Sequence, residues 1–408
     1  MTRLHLTVAF LGHKTCRNFN FHAAILQVYL LAEGVSIETI FFAYGIWSIA
    51  KMVFEVPTGI FADRFGRRFS LIVGIAVRSL GLIWLFASAD PASVLGSFVL
   101  MSLGSAFISG SDSALLYDAV HDGSGDGAYR RLESWGYIVE LAVYGGSATI
   151  GSLLTDRIGL AMPVLLSALG SAIGILFVVM LPADKRAGRE ASRAQSPLLQ
   201  FLRVMREILR HPPLRAAAIA FVAFNVIIDA GTLLYQPILI EQGVATIWFG
   251  VGLGALMLAD MAGVWLGNRR PLSQLSRGQS ALLVNAIFAG FILCCIVAGW
   301  LPAPLALMMV WLGYVLHSAG DGLQYPLVRV WANEAFSGPE RATMLSVLSG
   351  ASLLVIGVIH SINGVLIGIG GTQLAFAALL VIGAAGAIGC RSASRHAFLF
   401  PKRRAPSP

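Results

Sequence analysis

The sequence predicts an all-α integral membrane protein, with twelve transmembrane helices in two six-helix bundles. Three observations carry this. Hydrophobic residues make up 57% of the 408 positions and charged residues only 12%, against about 25% charged in a soluble domain. Apolar runs of about 20 residues recur along the chain, continuous rather than alternating. That length crosses a bilayer as helix, and lipid admits only structures that satisfy their own backbone. The cations are also unevenly placed. With the N-terminus set inside, the inner segments hold 23 of the 29 Lys and Arg residues, and the outer loops hold only Arg157. Lys14, Arg17, Lys51, Arg78 and Arg329 fall within spans. This bias sets orientation and puts both termini in the cytoplasm of a bacterial inner membrane. The net charge of +8 is therefore topology, and no nucleic-acid partner is expected.

In order, the spans start near Leu4, Ile37, Ser70, Pro91, Leu132, Leu160, Leu214, Thr246, Gln279, Ala303, Ala342 and Gln373. The N-terminus runs directly into the first span, which is expected to serve as its own insertion signal. The longest polar interruption divides the chain. Residues 1–182 are expected to form one bundle, 183–213 a cytoplasmic linker, 214–391 the second bundle and 392–408 a basic cytoplasmic tail. Within the linker, Ser196-Pro197 opens a helix, and proline suits its first position. Leu198, Leu202, Met205 and Leu209 recur at helical spacing, with Arg203, Arg206 and Arg210 on other faces. Such a helix lies flat on the inner leaflet, and His211-Pro212-Pro213 stops it. Cys16, Cys294, Cys295 and Cys390 have no metal-ligand spacing and read as buried or lipid-facing thiols.

The most distinctive motif is Gly59-Ile60-Phe61-Ala62-Asp63-Arg64-Phe65-Gly66-Arg67-Arg68. Glycine, acid and basic pairs between two apolar runs describe a short charged hairpin on the inner side. A degenerate echo, Gly263 to Arg270, follows span eight. Ser109-Gly110-Ser111-Asp112 in span four parallels Ser318-Ala319-Gly320-Asp321 in span ten, and Arg130-Arg131 before span five parallels Arg341 before span eleven. Three matches in one order indicate a duplicated six-span unit, an arrangement frequent in secondary transporters.

On these residues the chain resembles the major facilitator superfamily over nearly its whole length, with the signature at Gly59, Asp63, Arg64, Gly66, Arg67 and Arg68. Glu55 to Gly59 and Gly110 to Asp118 resemble a bacterial, exporter-like branch. The resemblance implies a conformational latch. Asp63 would hold the halves together near the start of helix eleven, where a helix N-terminus favours a carboxylate, and Arg67 and Arg68 would anchor the loop. It also implies that helices one, four, seven and ten line the cavity. The chain departs from drug/proton antiporters in two places. Asp112 and Asp118 stand where those relatives carry an Arg, and span five offers Gly145-Gly146 and Gly151 without a proline.

Ionisable residues inside a membrane are costly and face a cavity or one another. Here they concentrate in four spans. Span one carries His13, Lys14, Arg17, Asn18 and His22, with Lys14, Asn18 and His22 sharing one helical face. Span four carries Asp112 and Tyr117; span seven carries Asn225, Asp229, Tyr235 and Gln236. Span ten carries His317, Asp321, Gln324, Tyr325 and Arg329. Lys14 and Arg17 either neutralise Asp112, Asp321 or Glu55, or meet substrate. Asp112, Asp229 and Asp321 are the proton-carrier candidates, because shielding and a nearby cation move a carboxyl in opposite directions. His13 and His22 read as polar fillers. Glu55 reads as hairpin packing and Asp260 as structural. Arg78 and Glu140 form a possible pair.

The expected function is secondary transport of a small anionic or zwitterionic organic solute by alternating access. Proton-coupled export of a metabolite, chelator or drug is favoured over import or uniport. The chain is expected to work as a monomer. A non-transporting receptor on the same fold is the rival reading. No nucleophile elbow, phosphate loop or metal-ligand spacing appears, so neither an enzyme nor a cofactor is expected.

Overall fold

A computed structural model describes residues 3–109, 111–112, 115–116, 126–182, 197–324, 326–327 and 341–396. Among these the secondary structure is helical. The α-helices are α1 (Arg3–Arg17), α2 (Leu26–Ala32), α3 (Ile37–Phe65), α4 (Arg67–Ala87), α5 (Pro91–Ile108), α6 (Asp126–Ile158), α7 (Met162–Met180), α8 (Pro197–Arg210), α9 (Pro212–Leu233), α10 (Tyr235–Glu241), α11 (Ile247–Gly267), α12 (Arg277–Ala298), α13 (Ala303–Gln324) and α14 (Arg341–His396). Among the described residues, ten helices are long and apolar enough to cross a membrane. The last, α14, leaves helical geometry at Gly370 and Gly371 and so contains two crossings. The stretch expected as span one is divided between α1 and α2, which are shorter.

The sequence explains where helices start and stop. Ser36 caps α3 by accepting from the Thr39 amide at 3.3 Å. Asp90 caps α5, its Oδ1 accepting from Ala92 and Ser93 at 3.0 and 3.2 Å. Ser276 and Gln279 form a reciprocal capping box on α12. The expected hairpin from Gly59 to Arg68 is tighter than its sequence suggests. Helix α3 runs through Phe65, and Gly66 alone makes the turn at φ 95°, a conformation that favours glycine. Gly371, at φ 74°, does the same in α14, just before Gln373, where the last span is expected to start.

Two expectations need correction. Span one is not continuous: helix geometry ends at Arg17 and resumes at Leu26, so His22 does not share a helical face with Lys14 and Asn18. Span seven also breaks, between α9 and α10. Pro237 sits in the first turn of α10, where its missing N–H would otherwise have to bond back to Leu233.

By internal contacts the chain divides into two compact units. The first comprises residues 1–194, 236–257 and 357–369; the second comprises 195–235, 258–356 and 370–408. In the first, small residues let helices approach closely, as membrane bundles require. A side chain at Gly12 would strike the Phe177 ring, one at Gly170 the Phe19 side chain, and one at Gly151 the Phe21 carbonyl. A further core gathers Leu30, Ile40, Leu82, Leu85, Val94 and Phe98. The second unit is built on aromatic rings: Phe291 lies 5.2 Å from Tyr314, 4.7 Å from His317 and 5.6 Å from Phe376. Helix α8 covers Pro197–Arg210, within the stretch expected to be the linker. Val204 and Ile208 are buried, while Leu202 and Leu209 are exposed.

Candidate functional site

The site grows out of the break in the first span. Unwinding residues 18–25 frees backbone groups that lipid cannot satisfy. Neighbouring helices supply the partners. The Asn20 amide donates to Ser147 Oγ at 3.0 Å and the His22 amide to Ser167 Oγ at 3.3 Å. The His22 ring meets the same Ser167 hydroxyl at 2.8 Å. Arg78 Nη1 donates to the Arg17 carbonyl at 2.9 Å, and its Nη2 to Asn20 Oδ1 at 2.7 Å. Arg78 is thus bonded to neutral acceptors and not, as the sequence suggested, to Glu140.

Glu140 belongs to the ion cluster at the end of α1. Lys14 Nζ lies 2.8 Å from Asp112 Oδ2 and 3.0 Å from Glu140 Oε1. The Arg17 guanidinium bridges the same two acids, Nη1 reaching Asp112 Oδ2 at 2.8 Å and Nη2 reaching Glu140 Oε1. Asn18 Nδ2 adds a contact to Glu140 at 3.3 Å and closes on the Lys14 carbonyl at 2.8 Å. The cluster has a deep side and a more open one. The side chains of Lys14 and Asp112 are 6% and 8% exposed, those of Arg17 and Glu140 18% and 20%. Beside it His13 is wholly buried, with neither ring nitrogen hydrogen-bonded.

A second set of contacts in the first unit is neutral. The Gln236 side chain donates to the Ala23 carbonyl and accepts from the Gln27 amide, both at 2.9 Å. Thr149 donates to the Gly250 carbonyl at 2.8 Å and Ser152 to the Thr246 carbonyl at 2.6 Å. A Cβ at Gly45 would fall 2.6 Å from the Gly357 carbonyl. These contacts clasp α6 to α11 and α3 to α14 at the Ile158, Ile247, Ile37 and Ile369 ends of those stretches.

The remaining sequence candidates scatter. Asn225 bonds the Phe221 carbonyl of its own helix at 2.7 Å, and Asp229 is exposed. His317 is packed among Phe288, Phe291 and Tyr314, with Nε2 3.1 Å from the Ile228 carbonyl. Gln324 is buried and Asp321 half-buried. Tyr117, Asp118, Tyr325 and Arg329 lie outside the described residues. In the signature, Gly59, Asp63 and Arg64 are exposed, Gly66 is buried, and Arg67 and Arg68 are half-buried. Asp63 makes no hydrogen bond or ion pair among the described residues, and the chain just before Arg341 lies outside them.

Sequence reasoning missed Glu140 as a partner of Lys14 and Arg17, and the serines that hold the break. A signal was present: Glu133, Glu140 and Ser147 follow at seven-residue steps, one face of α6.

The pattern of crossings extends to known families. The model of the Major Facilitator Superfamily matches residues 16–312. The chain belongs to that superfamily. It is 28% identical over 158 residues to the inner membrane transport protein YajR of Escherichia coli K12, covering 38% of this chain and 33% of that protein. It is 30% identical over 142 residues to an uncharacterized transporter of Buchnera aphidicola, covering 34% of each. The alignments thus span about a third of each relative. The superfamily fold extends further than sequence identity. The nucleoside transporter NupG superposes with a TM-score of 0.71 at 14% identity, over 96% of this chain and 98% of that one. The POT family transporter PepTSo superposes at 0.72 and 12%, over 99% of both. The chain is a multi-pass membrane protein with the superfamily's transporter fold.

Proposed function

We propose that this transporter carries a small anionic or zwitterionic organic solute across the bacterial inner membrane by alternating access, coupled to protons and in the export direction. The observation that carries this reading is the cluster at the break in span one. Two cations there serve two carboxylates, and a third cation, Arg78, lies one contact away on neutral acceptors. Its open edge is Arg17 with Glu140. A solute carboxylate or phosphate can take the place of the Glu140 oxygen on Lys14 and Arg17, and the planar Arg fork suits both groups. Releasing Glu140 turns binding into a change of contacts between α1 and α6. Domain boundaries follow the sequence: bundles at 1–182 and 214–391, with the linker between them and a basic tail after residue 391. The signature from Gly59 to Arg68 acts as the cytoplasmic latch through Asp63. Asp112, Tyr117, Asn225, Asp229, Asp321, Gln324, Tyr325 and Arg329 complete the pathway.

The test is thermal stabilisation of the purified protein by a panel of anionic, zwitterionic, neutral and cationic metabolites, followed by transport of the hits in vesicles under an imposed pH gradient. Anionic or zwitterionic hits that fail on Arg17→Gln support the reading. Stabilisation by lipophilic cations alone overturns the substrate class, and transport indifferent to the gradient overturns proton coupling.

A further inference from the structure

Helix α3 carries two charges that the ion cluster does not use. Lys51 and Glu55 stand one turn apart, both half-buried inside a crossing. They lie on the side of α3 that holds buried Ser48, Thr58 and Ala62, opposite exposed Phe42, Val53 and Ile60. That side is turned to other helices and not to lipid: the Trp47 carbonyl, one turn before Lys51, accepts from Ser102 of α5 at 2.7 Å. Among the described residues, neither charged side chain makes a hydrogen bond or an ion pair, with the other or with any further group. Glu55, which the sequence suggested was hairpin packing, thus bonds nothing there. Lys51 lies over the Trp47 ring, its Nζ 5.3 Å from the centroid. Their order explains why the two stay apart. Helical side chains lean toward the N-terminus, so Lys51 leans back onto Trp47 and away from Glu55. Lysine before glutamate is also the weaker order for a pair one turn apart.

Unpaired charges inside a membrane are costly, and they mark the path of what they serve. Here a cation and an anion are held apart at the spacing of one helical turn, about 5–6 Å between Cβ atoms. A group that carries both charges close together satisfies both at once. We propose that Lys51 and Glu55 recognise an α-amino-acid group, Lys51 taking its carboxylate and Glu55 its ammonium. Site and solute are each neutral overall, so no counter-ion has to accompany the contact. In taking a zwitterion over a plain anion, the site rests on the solute class proposed above and narrows it. The ion cluster on α1 does not make that choice, because displacing Glu140 needs only a negative group. Glu55 supplies what the cluster lacks, a carboxylate that no cation bonds among the described residues.

Binding to the full-length protein in nanodiscs, measured with the standard free amino acids and with their N-acetyl and methyl-ester forms, tests this. Wild type should bind at least one free amino acid about tenfold more tightly than either derivative, since each derivative loses one charged contact. Glu55→Gln should weaken the free and ester forms and leave the N-acetyl form unchanged. Lys51→Gln should weaken the free and N-acetyl forms and leave the ester unchanged. A general loss of folding cannot produce that crossed pattern. If neither variant folds, the wild-type series carries the test. Equal binding of free and blocked forms overturns the site, as does the absence of binding by any amino acid, and so do variants that keep the wild-type pattern. The two readings fail separately. Anionic metabolites that stabilise wild type and fail on Arg17→Gln, while the Lys51 and Glu55 variants behave as wild type, sink this site and spare the broader solute class. Stabilisation by lipophilic cations alone sinks both.

Discussion

At the scale of single residues, the ion cluster is held more by completeness than by strength. A buried pair adds little against an apolar alternative, but removing one partner leaves a stranded charge costing about 3–5 kcal/mol. Asp112→Ala should therefore lower the unfolding free energy by about that amount in a denaturant titration in detergent, and Asp112→Asn by less, because the amide still accepts from Lys14 and Arg17. Arg17→Lys should also disturb the site, because one ammonium cannot reproduce a fork that touches Asp112 with one nitrogen and Glu140 with the other. Expected outcomes are a lower melting temperature and loss of solute stabilisation. Lys14, Arg17 and Asp112 were readable as candidates because cations and acids inside apolar runs stand out. Their partner Glu140 was not, because Arg78 and Glu140 are equally plausible companions until the break in span one turns Arg78 toward the Arg17 carbonyl.

At the scale of elements, the breaks matter as much as the helices. The backbone opened between Arg17 and Leu26 presses its Phe21 carbonyl into the space left by Gly151. Gly151→Ala should force the two apart at a cost of about 3 kcal/mol, near the upper end for overpacking, and should reduce expression of folded protein as judged by size-exclusion profile. Nothing in residues 18–25 signals a break, since the stretch has neither glycine nor proline. Its cause is tertiary: hydroxyls and amides on other helices that accept or donate where the helix does not. Outside the membrane, the cap on α5 has its own pH dependence. Hydrogen bonds from Ser93, then Ser88, hold the Asp90 carboxyl down at about 2, from an ordinary 3.8. A depressed value means the cap is fully present above pH 3.8 and lost as pH falls through about 2. Hydrogen exchange at the Ala92 and Ser93 amides should stay slow at pH 4 and accelerate only near pH 2.

At the scale of the whole molecule, what the sequence encodes most clearly is the number and direction of crossings. Apolar length and cation placement depend on the bilayer, not on detailed contacts, so they survive divergence. That is why transporters only 12–14% identical share the fold. Orientation is testable by cysteine labelling in a background lacking the four native thiols. A cysteine at Ser88 should react with an impermeant maleimide in intact cells, and one at Asn268 only after permeabilisation. The reverse pattern would invert the topology. Partner choice inside the bundles was not legible, because it depends on register between segments far apart in sequence. His317 shows this. Its position on the polar stripe of span ten pointed to the pathway, yet rings from α12 enclose it.

The Gln236 amide joins the two broken spans through the Ala23 carbonyl and the Gln27 amide, and it carries no charge. Salt and acid loosen charged contacts, but neither acts strongly on an amide. These contacts should therefore hold equally well across changes of ionic strength and acidity. Responsiveness is left to Lys14, Arg17, Asp112 and Glu140. A transporter built this way would sense its solute through one set of contacts and keep its barrier to leakage in another.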